Sequence, residues 1–116
     1  MKEKIIYHIT SLVEWEHALE AGVYAADSLM SEGFIHASTS EQVQGTANYL
    51  FVGKHGLVVL EIDAERVPVE IKYELAPNGL TFPHIYGPLN IDAVLRVVDF
   101  LPGEDGFFTW PSNLEG

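Results

Sequence analysis

Leu57-Val58-Val59-Leu60-Glu61-Ile62 is an apolar run broken by a single acid, long enough for a strand at the centre of a sheet. A chain built around such a strand must supply other extended segments and helices to cover them, and the two flanks do this differently. On the N-terminal side, Ile5 to Ile9 reads as a buried first strand. Ser11-Leu12-Val13-Glu14 follows as a capping box and opens a helix that runs to Ala21 and stops at Gly22. Val13, His17 and Ala21 recur at four-residue intervals with Leu12, Trp15 and Leu19 beside them, which predicts a helix largely covered by the sheet, with His17 at its surface or edge. From Val23 to Glu32 the pattern is irregular, with Tyr24 exposed or bridging and a short helical turn from Asp27 through Met30. Gly33 restores extended structure. Phe34 to Ser38 then forms a strand that enters a second capping box, Thr39-Ser40-Glu41-Gln42, and a helix to about Phe51.

On the C-terminal side strands dominate. Asp63 to Arg66 is a capped turn, and Val69 to Leu75 alternates as a strand with one wet face. Ala76-Pro77-Asn78-Gly79 is a turn, and Ile91 to Phe100 is a last long strand. Helices interleaved with strands in one half, and strands alone in the other, predict an α+β fold. The expected core is a mixed β-sheet with two main helices. The 116 residues suffice for one continuous core. They divide into a single domain over 1–102 and an irregular tail over 103–116, whose Phe107, Phe108 and Trp110 can pin it to the body.

Charge narrows the possible partners. With 17 acidic against 6 basic residues, the net charge of −11 produces a field that repels long nucleic acid and anionic membranes. A single nucleotide remains admissible, because a few donors or a helix start can hold one phosphate group. Cysteine is absent, which removes disulfides, thiolate nucleophiles and cysteine metal sites together. No apolar run is long enough to cross a bilayer, and Ile5 to Ile9 is too short for a signal peptide, so a cytoplasmic protein is expected.

The densest chemistry lies in Gly33-Phe34-Ile35-His36-Ala37-Ser38-Thr39. Strand alternation places Phe34, His36 and Ser38 on one face, and Thr39 at the junction where the free amides of the next helix begin. Tyr7-His8-Ile9-Thr10 repeats the idea, with His8 and Thr10 on a shared face, and Phe82-Pro83-His84-Ile85-Tyr86-Gly87-Pro88 adds an imidazole and a phenol between turn residues. One isolated histidine is more often a satisfied core residue than a ligand. Its repetition beside a same-face hydroxyl favours a pocket in which the three segments meet and His8, Thr10, His36, Ser38, Thr39, His84 and Tyr86 contact a ligand. His36 and His8 are the candidate acid and base, because imidazole exchanges protons closest to neutral pH. No tight His-x-x-x-His or His-x-His spacing supports a metal, so none is predicted. The acids are scattered, and no Gly-x-Ser-x-Gly element is present.

These three segments, in this order and at this spacing between Ile5 and Phe100, resemble the hallmark segments of the bacterial Domain of Unknown Function 952 family. The resemblance implies a compact version of the ADP-ribosyltransferase fold, close to the RNA 2′-phosphotransferases that use NAD. It assigns His8 to a ribose hydroxyl of NAD and aligns His36 and Ser38 with the His-Leu-Ser-like element of the phosphotransferases. Ile9 stands where those enzymes often carry glycine, and no residue securely matches the transferases' catalytic glutamate or the phosphotransferases' arginine set. Two functions are therefore expected. One is a pocket that binds NAD or an ADP-ribose-type nucleotide, as a substrate that is transferred or hydrolysed. The alternative is a non-catalytic ligand-binding or protein-interaction module that kept the fold without turnover.

Overall fold

A computed structural model describes residues 4–110. The apolar run at 57–62 forms β4 (Leu57–Asp63), and all seven of its residues are buried. Antiparallel neighbours flank it: β1 (Ile5–Ser11) on one side and β8 (Val94–Phe100) on the other, in the order β1-β4-β8. Because strand side chains alternate, this sheet presents two apolar faces. Ile6, Leu60 and Ile62 join Trp15, Tyr24, Ile35, Ile85 and Leu89 in one core. Tyr7, Val59, Val98 and Phe100 join Val43 and Ala47 in a second core on the opposite face.

The remaining strands form two further sheets. A ribbon pairs β2 (Val23–Tyr24) with β7 (Leu89–Asn90), and a three-stranded sheet has the order β3-β6-β5, from Ile35–His36, Thr81–Ile85 and Ile71–Leu75. Every pairing between these strands is antiparallel. The class is α+β, and the expected single mixed sheet is corrected to several antiparallel ones. Short connections explain the difference. The hairpin at 76–80 can only return its chain antiparallel, whereas parallel neighbours need a long crossover.

Among the described residues, three helices cover the sheets: α1 (Leu12–Ala21), α2 (Asp27–Ser31) and α3 (Val43–Leu50). α1 begins as its sequence demands, with Ser11 Oγ accepting from Glu14 N–H at 3.1 Å. It ends at Gly22, whose φ of 83° suits a residue without Cβ, and whose N–H bonds Ala18 at 2.8 Å. Only Trp15 and Ala18 of this helix are buried. Leu12, Val13 and Leu19 are exposed, contrary to the broad apolar stripe expected, because the short helix meets the body along one line. α3 starts three residues later than Ser40, after a turn in which Gln42 Oε1 reaches back to accept from Thr39 N–H at 3.0 Å. That is the reciprocal half of a capping box. The last strand is also shorter than expected, since Ile91–Ala93 form a 3-10 turn before β8.

Of the tail, 103–110 lies within the described residues and 111–116 outside them. It has no regular structure but crosses α3, where Phe108 is buried in the second core. Asn48 holds the Phe108 main chain at both ends, accepting from its N–H at 2.7 Å and donating to its carbonyl at 3.0 Å. One turn earlier on the helix, Gln44 accepts from Trp110 N–H at 3.1 Å. The Trp110 ring meets the edge of Tyr7 with centroids 5.1 Å apart.

Candidate functional site

The three histidine-bearing segments come together, but their imidazoles fall into two groups. β1 and the continuation of β3 are joined by a two-way main-chain bridge between Tyr7 and Ser38, at 2.8 and 2.7 Å. β3 and β6 are joined in a register that sets His36 directly opposite His84.

The inner group is built on the β1 face that carries Ile6, so His8 and Thr10 point into the first core and are almost fully buried. His8 Nδ1–H donates to the main-chain carbonyl of His36. Its contact with β3 is thus to backbone rather than to the other imidazole. The remaining nitrogen, Nε2, lies 2.7 Å from the hydroxyl of Tyr24, which lies 2.9 Å from Thr10 Oγ1. A tyrosine has one proton to place. When the ring is neutral, Tyr24 donates to Nε2 and Thr10 donates to Tyr24; a charged ring would reverse both bonds. Burial favours the neutral arrangement. It pushes His8 down to about 4, opposed in part by the bond to His36, and the nearby His36 imidazole lowers it further. Burial likewise raises Tyr24 to about 12.

The outer group stands on the opposite face of the β3-β6-β5 sheet. Ile35, Ile85 and Ile71 point inward, so their sequence neighbours His36, His84 and Lys72 form a row across the three strands on the other side. The two imidazole centroids are 5.2 Å apart, edge to face. Phe34 stacks on His84 at 4.1 Å with planes 13° apart, and also contacts His36 and Tyr86. Each imidazole is held by a carboxylate. His36 Nε2 lies 3.1 Å from Glu32, and His84 Nδ1 lies 2.7 Å from Glu74 Oε1. Tyr86 donates to the same Glu74 oxygen at 2.5 Å. The bonds from Tyr86 and His84 hold the Glu74 carboxyl below its ordinary range, while the carboxylate raises the Tyr86 phenol to about 12. Lys72 Nζ lies 4.9 Å above the Tyr86 ring.

Ser38 and Thr39 belong to neither group. Ser38 is buried, with its Oγ 3.4 Å from Thr46 Oγ1 of α3, and Thr39 sits half-buried at the helix entry. The expectation that Phe34, His36 and Ser38 share one face therefore holds only for the first two. β3 ends at His36, and Ser38 turns to pair with β1 instead. Among the described residues, no cluster of three or more histidines and acids has metal-binding geometry. A hollow of about 340 Å³ lined by Lys4, Glu65, Val67, Val69, Ile71 and Tyr73 opens on the other side of β5 from Lys72 and Glu74.

Sequence reasoning missed Tyr24, Glu74, Glu32 and Lys72 as parts of these groups. Tyr24 had no signal, since its contacts depend on how a two-residue ribbon packs. Glu74 and Lys72 had one: counting back from the turn at 76–79 pairs Leu75 with Thr81 and therefore Lys72 with His84.

The model of the family described as a protein of unknown function, DUF952, matches residues 9–97. No curated protein matches the chain. Among solved structures, the crystal structure of protein CC0527 from Caulobacter crescentus is 37% identical with a TM-score of 0.83, covering 90% of this chain and 93% of that one. The solution NMR structure of the same protein gives a TM-score of 0.79 at 37% identity, covering 90% of this chain and 91% of that one. No helix among the described residues is long and apolar enough to cross a membrane. With residues 9–97, most of its length, matched by that model, the chain belongs to the DUF952 family.

Proposed function

We propose that the outer face of the β3-β6-β5 sheet binds a nucleotide of the NAD or ADP-ribose type. The observation that carries this reading is the row of His36 and His84 beside the Phe34 ring, with Phe34 stacked on His84 and His36 edge-on to both, which offers aromatic surface together with ring nitrogens for polar groups. Stacking on aromatic faces holds a base with little regard to its identity. In this reading His36, His84 and Tyr86 contact the ligand, with Thr39 at its margin and Ser38 buried behind it. His8 and Thr10 act from behind: both His8 nitrogens are used within the protein, and one fixes the strand that carries His36. The compact ADP-ribosyltransferase-like architecture, a transferase or hydrolase activity and a cytoplasmic setting belong to the same reading.

Titration calorimetry with NAD, ADP-ribose and simple nucleotides tests it. Saturable binding by the wild-type chain, weakened in His36→Ala and His84→Ala, is the expected result. Absence of heat with all of these ligands contradicts it. Binding without any change in the nucleotide identifies the non-catalytic alternative.

A further inference from the structure

We propose that His36 and His84 are an acid and base pair that opens a nucleoside cyclic phosphodiester with water. This rests on the reading that the outer face takes a nucleotide, and adds the reaction.

The two imidazoles are prepared in complementary ways. A carboxylate can only accept, so Glu74 fixes the proton of His84 on Nδ1 and Glu32 fixes that of His36 on Nε2. His84 Nε2 and His36 Nδ1 have no hydrogen bond to any described residue. Two neighbouring rings, 5.2 Å apart, thus each keep one nitrogen for an outside partner. One can take a proton while the other gives one. The titratable groups around them are Glu74, Tyr86, Lys72 and its neighbour Glu70 beside His84, and Glu32 with buried His8 beside His36.

Which bond would need both? Nicotinamide departs from NAD as a neutral ring and requires no proton, so cleavage there leaves an acid idle. A ribose oxygen departing from phosphorus is an alkoxide and requires one. The substrate must also be anionic enough to use the imidazolium and the Lys72 ammonium that stands in the same cross-strand row. It must be small, since a net charge of −11 disfavours a polymer. A nucleoside 2′,3′-cyclic phosphate meets these requirements. Water attacks phosphorus as the neutral imidazole takes its proton, forming one P–O bond. The bond from phosphorus to O2′ breaks as the imidazolium protonates O2′. The product is a 3′-phosphomonoester, and the two rings return to their starting states by exchanging protons with solvent.

Adenosine 2′,3′-cyclic phosphate incubated with the full chain, followed by phosphorus NMR across pH, is the test. The expected result is conversion to the monoester with a bell-shaped pH profile. His36→Gln and His84→Gln should each lower the rate by about 100-fold or more and each remove one limb of the bell. Thermal melts of both variants show that they are folded. Conversion that survives both substitutions overturns the pair. In parallel, adenosine 3′-phosphate, NAD and ADP-ribose are titrated by calorimetry. Binding without conversion overturns the acid and base pair while leaving nucleotide binding standing, and neither binding nor conversion overturns both.

Discussion

The inner and outer histidine groups each combine imidazole with a tyrosine and meet at β3, yet they are suited to opposite tasks. His8 sits where water is excluded, and both its nitrogens are engaged, by the His36 carbonyl and by Tyr24. His36 stands exposed and His84 half-buried on the outer face of the sheet, and each spends one nitrogen on a carboxylate. Burial forces full pairing because an orphaned polar atom there is costly. Exposure removes that demand and leaves atoms available. The proposed function accordingly assigns chemistry that needs an outside partner to the outer group, and rigidity to the inner.

If that contrast is right, removing each ring should have very different consequences. His8→Ala leaves a cavity and unpaired groups at Tyr24 and the His36 carbonyl, and should cost about 3 kcal/mol in urea unfolding. His36→Ala should cost less than about 0.5 kcal/mol, as exposed substitutions do. Similar losses for both would break the distinction.

Acid should separate the groups next. His8 is lowered to about 4 when folded, against an ordinary value near 6.5, so the unfolded chain binds more protons between these limits. The stability this residue provides is complete above about pH 6.5 and is lost as pH falls toward about 4, a swing of about 3 kcal/mol. Stability measured across this window in the wild-type chain and in His8→Gln should differ by that sloping component. Parallel curves would refute it.

The hydroxyls give a finer comparison. Tyr24→Phe strands Nε2 of His8 and should cost about 1 to 3 kcal/mol. Tyr86→Phe should leave the urea midpoint unchanged while releasing Glu74 toward its ordinary carboxylate range, which NMR titration of that carboxyl reads. A smaller effect is expected away from both groups. Asn48→Ala removes two bonds to the Phe108 main chain and should cost about 1 kcal/mol, with tryptophan emission shifting to the red as Trp110 leaves Tyr7.

Local chemistry was legible in the chain, and tertiary arrangement was not. The Ser11 cap, the Gly22 stop, the extended run at 57–62 and the turn before Leu80 depend on neighbours within a few residues, and sequence reports these directly. The separation of His8 from His36 depends on which face of β1 meets which core and on Tyr24, which no periodicity marks. Strand alternation placed Phe34 with His36 correctly but failed at Ser38, because β3 stops after two residues and the chain changes partners. Alternation is a rule within one strand. It says nothing once the strand ends.

The most direct measurement is nitrogen-15 NMR of the imidazole rings during titration with ADP-ribose. Saturable shifts at His36 and His84, with the His8 ring unmoved, are the predicted result. Shifts centred on His8, or no shift in any of the three rings, would contradict the assignment of binding to the outer face.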